Sequence, residues 1–360
     1  MGQLLSCCRT KLEKLYCRSS LLNFYDYDDY DDYDENILEE TRDQSVQTDE
    51  VSCDEVSCEN GLDENQLLLK HRRAILAVPW DYKQVLNNGL TLRGHSRSGE
   101  RTCFYIPELS TYLDAGLQGI GEPLMILLTH GHCDHSHALP MMNIGLDVKT
   151  NLYVPRAIAH KAAKYIIAMY QLNNCTDKAC NLDDKYPFTV VDSYHKYQTT
   201  IKKHQYQIET FKCYHSVPSM GFGITELRSK LKDEYLDLPG KEIGKLRKEG
   251  VEINYMKEYP LIAYMGDTTI KVFEDELNKN VFNYPYIMIE STYFYPDQID
   301  MAIKHTHTHW TQLRPYVLQH PDIIFILIHF SPRYRDQEII DFFDNEQKIH
   351  SINNIIVWIN

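Results

Sequence analysis

The stretch MILLTHGHCDHSHALP, residues 125–140, opens as an apolar run and passes at once into four ligand-type side chains, His130, His132, Asp134 and His135. MILLTH reads as a buried strand, because a short continuous apolar run bounded by turn residues suits a strand covered on both faces. Imidazole and carboxylate are borderline to hard donors that suit zinc or a neighbouring divalent cation. The spacing carries a geometric expectation. His130 and His132, two apart at a strand end, converge on one ion, while Asp134 and His135 continue around the turn to a second. An exposed histidine-rich loop is the plain alternative, but four donors in six positions at the end of a buried strand outweigh it.

Two complete coordination shells need three more donors, and suitable residues close other apolar runs. His215 ends YQIETFKCYH (206–215), Asp267 ends LIAYMGD (261–267) and His329 ends DIIFILIH (322–329). Alone, each would be a loop residue or a satisfied polar group of the core. Together with the first cluster they make up two shells.

The surrounding pattern sets the fold class. Strands are expected at 102–106, 110–114, 125–130, 151–155, 206–214, 261–267, 286–291 and 322–330, and helices at 155–171, 225–249, 297–318 and 335–346. Strands interleaved with helices argue for a layered α/β (α+β) domain, and polar residues gather just after the apolar strands end, where such folds place their sites.

The chain of 360 residues carries a formal charge of -14, but residues 25–64 hold 17 Asp and Glu against the single Arg42. The remainder, 34 acidic and 36 basic residues, is close to neutral, so net charge neither requires nor excludes a nucleic-acid partner. YDYDDYDDYDEN and the doubled DEVSC at 49–58 cannot bury enough apolar surface to offset their ordering entropy, which predicts a disordered acidic linker over 25–70. Before it, residues 1–24 are basic, and MGQLLSCC places Gly2 and Ser6 for N-myristoylation and Cys7 and Cys8 for palmitoylation. An acyl chain with a second chain or a basic cluster anchors stably, so this terminus is a candidate contact with a membrane surface. A terminus that matches a short pattern by chance is the alternative. The folded domain is expected over 71–360. Ten cysteines without a CxxC pair or a framework spacing, no apolar run long enough to span a bilayer and no apolar signal region point to an intracellular, cytoplasmic protein, membrane-associated if acylated.

Read together, HGHCDHSHALP, YHSVPSMGFGI, MGDTT, ESTY and HFSPRY resemble the metallo-β-lactamase superfamily, and within it the short plant-type ribonuclease Z branch. TCFYIPEL with YLDAG, KLKDEY and GVEI extend the resemblance to residues 75–350. It implies an αβ/βα sandwich of two mixed sheets flanked by helices, and an endoribonuclease that removes 3′ trailers from precursor tRNA. It implies two Zn2+ per chain, replaceable by other divalent ions: one held by His130, His132 and His215, the other by Asp134, His135 and His329, with Asp267 bridging. A hydroxide shared by the ions would attack phosphorus, oriented by Asp134. In HTHTHW (305–310) the resemblance assigns the general acid to His307, a supporting role to His309 and none to His305, an exposed residue at a helix start. Arg333 of HFSPRY is expected to hold a phosphate, with a salt bridge to the C-terminal helix as the alternative. Family members are commonly homodimers.

Three departures stand out. SHALP replaces the usual glycines, which puts His137 at the edge of the site. No glycine- and proline-rich arm lies between His215 and Asp267; Arg228 to Glu249 offers seven basic and five acidic residues instead. The N-terminal extension has no counterpart in the short form. Two alternatives therefore stand beside the tRNA reading: a hydrolase of a smaller phosphodiester or other ester, and a membrane-tethered binding protein without catalysis.

Overall fold

The computed structural model describes residue 80 and residues 82–142 and 149–359. These belong to a compact unit over Val78–Asn360. Gly2, Cys7, Cys8, the acidic segment and the expected boundary at residue 71 lie outside the described residues.

Two seven-stranded sheets face each other, each with its strands in sequence order. The first contains β1 (Lys83–Val85), β2 (Thr91–Arg97), β3 (Arg101–Ile106), β4 (Thr111–Leu113), β5 (Met125–Leu127), β6 (Asn151–Pro155) and β7 (Phe188–Val191). The second contains β8 (Lys196–Ile201), β9 (His204–Cys213), β10 (Ser219–Leu231), β11 (Asn254–Tyr264), β12 (Tyr286–Glu290), β13 (Ile324–Ile328) and β14 (Ile355–Val357). Both sheets are mixed in the same way. Strands β1–β4 and β8–β11 are antiparallel meanders, whereas β4–β7 and β11–β14 are parallel. Parallel neighbours need crossovers. These carry α1 (Cys133–Ser136), α2 (Ala159–Asn174) and α3 (Leu182–Lys185) in the first half. In the second, α4 (Gly240–Lys248) lies between β10 and β11, and α5 (Lys271–Glu274), α6 (Ile299–His305), α7 (Trp310–Gln319) and α8 (Asp336–His350) follow.

Side-chain alternation divides the apolar residues into three layers. Phe104, Leu127, Phe222, Ile262, Tyr264, Met288, Ile326 and Ile328 fill the space between the sheets. Their strand neighbours Ile287, Ile289, Phe325 and Leu327 turn outward to meet Trp310, Leu313, Ile339 and Phe343 of α7 and α8. Leu152 and Val154 do the same with Ala162 and Ile166 of α2. Strands buried on both faces explain the unbroken apolar runs, and the result is the expected αβ/βα sandwich.

Local sequence misleads in two places. The helix expected over 225–249 is a strand as far as Leu231; Asp233–Tyr235 form a 3-10 turn and only 240–248 is α-helical. TELRSKL has helix-forming residues, but its ladder with β11 overrides that preference; the register slips between Ile224 and Thr225, opposite Pro260, which has no N–H to give. Pairing with β9 ends at Leu227 while pairing with β11 runs on to Leu231↔Asn254, so a two-stranded ribbon leaves the sheet, closed by residues 232–253. The single helix expected over 297–318 is broken into α6 and α7 at Thr306, whose φ of 56° is left-handed. Strands β1, β2, β7, β8 and β14 were not expected; β2 alternates buried and half-exposed positions through TLRGHSR, too polar to read as core.

Candidate metal centre

All the donor residues leave the sheets at the same end. Past β5, His130 is fully buried, His132 caps α1, and Asp134 and His135 lie in its single turn. His215 sits in the β9–β10 connection, Asp267 follows β11 and His329 follows β13. His130, His132, His215 and Asp267 form one group whose ligand atoms all lie within 4.8 Å, and Asp134, His135 and His329 form another. Within the first, His132 Nδ1 is 3.1 Å from both His130 Nε2 and His215 Nε2. Within the second, His329 Nε2 is 3.3 Å from both His135 Nε2 and Asp134 Oδ2. Asp267 stands between the groups, Oδ1 at 3.3 Å from His135 Nε2 and Oδ2 at 3.3 Å from His329 Nε2.

The outer hydrogen bonds show what kind of ligand fits. His135 Nδ1 donates to Asp114 Oδ2 at 2.7 Å, and His215 Nδ1 donates to the Thr306 carbonyl at 2.9 Å. Thr129 Oγ1 gives its proton to Asp114 and can only accept from His130 Nδ1, 2.9 Å away. Thr292 Oγ1, which donates to Glu290, stands in the same relation to His329 Nδ1. In the neutral rings the inward Nε2 atoms of His130, His135, His215 and His329 therefore carry lone pairs, and lone pairs about 3 Å apart repel unless a proton or a cation lies between them. Donors about 2.0–2.1 Å from a tetrahedral cation stand about 3.3 Å apart, the spacing seen here. Asp267 Oδ1, fully buried, has no hydrogen-bond partner among the described residues. Burial holds His130 well below the ordinary histidine range. Burial also disfavours the His135 imidazolium, yet the Asp267 and Asp114 carboxylates outweigh it, a sign of how much positive charge this point calls for. The residues fit divalent cations.

The backbone makes this convergence. His329 itself adopts a left-handed φ of 62°, which turns its ring back from the strand into the cluster. Gly266, before Asp267, has φ 58°, and a Cβ there would lie 2.8 Å from Thr129 Oγ1, the atom that ties His130 to Asp114. Left-handed backbone and overpacking together predict that Gly266→Ala costs about 2–4 kcal/mol. Urea denaturation measures it, and an unchanged midpoint would refute the steric reading.

The five residues HTHTH point five ways. His305 is exposed and ends α6. The Thr306 carbonyl holds His215, and His307 Nδ1 lies 2.9 Å from Glu290 Oε2. Thr308 donates its hydroxyl to the Thr268 carbonyl and its N–H to Glu290. His309 accepts the Thr311 N–H as the cap of α7. The His307 ring stands 5.0 Å from that of His215 and 5.5 Å from that of His329, at the rim of the donor groups. Burial works against its imidazolium, but the Glu290 carboxylate prevails and pushes the pKa up to about 9.

No family model matches the chain. The tRNase Z TRZ1 of Arabidopsis thaliana is 27% identical over 265 residues, covering 72% of this chain and 91% of that protein. The chloroplastic tRNase Z TRZ2 of the same plant is 27% identical over 279 residues, 75% of each. This chain is similar to plant tRNases Z over about three quarters of its length. The nuclear ribonuclease Z of Triticum aestivum is 29% identical over 168 residues, 46% of this chain and 92% of that one. Among solved structures, the human short-form tRNase Z matches at 16% identity and a TM-score of 0.39, over 68% of this chain and 86% of that chain.

The hydrogen bonds single out two residues that sequence reasoning did not, Asp114 and Glu290. Both are fully buried carboxylates that orient donors, and their motifs, YLDAG and ESTY, were visible without their purpose. Asp114 accepts from His135, from the N–H and hydroxyl of Thr129, and from Tyr264 Oη. Glu290 accepts from Thr268 N, Thr292 Oγ1, Thr308 N and His307. Gly99 N–H, in the β2–β3 turn, holds Asp134 Oδ2 at 2.9 Å. Three expectations change. His137 stays out of the donor groups, its ring on the Cys133 carbonyl. His305 closes a helix and does not start one. Arg333 makes no salt bridge to α8; it donates to Ser331 Oγ and stacks over Tyr293. No helix among the described residues is long and apolar enough to cross a membrane.

Proposed function

We propose that this chain is a metal-dependent endoribonuclease that cuts 3′ trailers from precursor tRNA. The carrying observation is the His307–Glu290 pair at the rim of two merged donor groups, in a chain whose curated relatives are tRNases Z. His130, His132 and His215 would hold one ion and Asp134, His135 and His329 the other, Asp267 serving both, with zinc suited to the nitrogen-rich donor set. When bound, such a pair of cations polarises a water and the phosphoryl group it attacks.

The chain's own residues do the rest. Asp134, fixed by Gly99, accepts a hydrogen bond from the attacking water and orients it. Glu290 accepts from His307 Nδ1, which stabilises the imidazolium and leaves Nε2 to give a proton to the departing oxygen. Thr306 and Thr308, on either side, tie that histidine to His215 and to Glu290, so the acid and the metal shell share one rigid loop. The ribbon beyond β10 and β11 carries the exposed Arg228, Lys230, Lys241, Lys245, Arg247 and Lys248 interspersed with the exposed Asp233, Glu234, Asp237, Glu242 and Glu249, a surface of mixed charge that supplies isolated phosphate contacts rather than a basic patch.

The test is cleavage of a 3′-extended precursor tRNA by the full-length chain. A single cut at the trailer junction, lost with a chelator and restored by zinc, is the expected result. Hydrolysis of small phosphodiesters with the precursor left intact would favour the small-substrate alternative.

A further inference from the structure

The turn between β2 and β3 reaches the second donor group. Gly99 N–H, in that turn, donates to Asp134 Oδ2 at 2.9 Å, and the same oxygen lies 3.3 Å from His329 Nε2. Asp134 and His135 follow the first sheet and His329 the second, so this group closes only where the two halves are held in register at one end. Three contacts at the base of the turn hold them. Arg97 forms an isolated parallel bridge with Phe330, the residue after His329, and Ser98 N–H donates to the Phe330 carbonyl at 3.2 Å. Arg97 Nη2 pairs with Asp336 Oδ1 at the start of α8. Arg97 is 8% exposed, the one buried arginine among the described residues, and its Nη1 has no hydrogen-bond partner there. The Asp336 side chain is 57% exposed.

We propose that Arg97 is a positioning residue: paired with Asp336, it ties the β2–β3 turn to the segment after His329 and so sets how tightly Asp134, His135 and His329 hold their ion. This rests on the reading of those three residues as a metal shell. A buried guanidinium is tolerated when it is paired, so Asp336 fixes where Arg97 sits. From Arg97 the chain reaches Gly99 in two residues, and Phe330 is one peptide bond from His329, so the pair governs both sides of the second group through short lengths of backbone. Gly99 and Glu100 are exposed, and an exposed turn without such a tie is free to swing. The first group has its own connection between the halves. Met220 N–H donates to the Thr129 carbonyl at 3.0 Å, beside His130, and the Thr306 carbonyl holds His215. Neither contact involves Arg97 or Asp336. Opening the pair should therefore loosen one ion of the two, whereas an ion pair that only adds stability gives no such selectivity.

Zinc binding by the metal-free full-length chain, in competition with a chromophoric chelator, reads the two stepwise affinities and tests this. Arg97→Met keeps the apolar stem and removes the charge, and Asp336→Asn strands the guanidinium. Each is expected to weaken one ion by roughly 10–100-fold, the loss that follows when a residue orienting a metal ligand is removed. The other ion should change by less than about 2-fold, and the double variant should lose no more than Arg97→Met alone, because both substitutions open the same contact. In His329→Ala, where the second group is already broken, adding Arg97→Met should leave the remaining ion unaffected. Equal weakening of both ions, or two unchanged affinities with or without a lower urea midpoint, overturns the inference while the metal reading stands. If Arg97→Met does not fold, Asp336→Asn, a change at an exposed side chain, decides by the same measurements. A wild type that takes up fewer than two zinc ions overturns the metal reading and this inference with it.

Discussion

Replacing His307 by alanine will lower single-turnover cleavage of a precursor tRNA by about 10²–10⁴-fold, the range that a positioned general acid supplies, and will leave the bound metal unchanged. The structure separates the two effects. His307 contacts the metal-shell histidines only ring to ring, and its hydrogen bonds run to Glu290, outside both donor groups that contain His130, His132, Asp134 and His135. The neighbouring loop contacts belong to the Thr306 and Thr308 backbone and hydroxyl, which the substitution leaves in place. Metal content by atomic emission, read beside the cleavage rate, distinguishes loss of an acid from collapse of the shell. Activity and metal falling together would mean that His307 is a ligand, a role its approach to Asp267 and His329 makes a real competitor.

Asp267→Ala should have the opposite signature, with metal and activity lost together. Asp267 is 1% exposed and lies between the two donor groups, within 3.3 Å of His135 and His329 and 3.8 Å of His215. Removing it takes the shared carboxylate from both shells and leaves the bare Nε2 atoms with less negative charge to attract cations. We expect fewer than two ions per chain and cleavage at background. Asp267 Oδ1 has no hydrogen-bond partner among the described residues, and the chain should stay folded by circular dichroism. Full metal loading in Asp267→Ala would reject the bridging role.

The contrast between His305 and His307 shows where sequence reasoning stops. HTHTHW spells three equivalent histidines, and neither helical nor strand periodicity distinguishes them. The backbone does so with one left-handed residue, Thr306, which ends α6 and turns the next residues inward. Asp114 and Asp267 tell a similar story. Each follows the strand where its sheet changes from antiparallel to parallel, β4 and β11, yet one orients a histidine from behind and the other faces the donors directly. A short motif records that a carboxylate is there and is silent on which side of a histidine it stands.

The ribbon beyond β10 departs furthest from the helix its local sequence predicts, and the cause is physical. TELRSKLKDEY offers no apolar alternation because both faces of the ribbon are exposed, so local helix propensity was the signal left to read. The backbone hydrogen bonds that make it a strand come from β9 as far as Leu227 and, beyond that, from β11, about 30 residues on.

By itself the sequence determined the apolar strands, the layered class and the residue types that gather at their ends, because burial and donor chemistry are properties of residues and their spacing. The tertiary structure alone decided which ring nitrogens are bare, which carboxylates orient and which face the donors, and which histidine of three stands at the rim. Those depend on hydrogen bonds between segments 15 to 195 positions apart, such as Thr129 to Asp114 and His329 to Asp134, and no local pattern encodes a contact at that range.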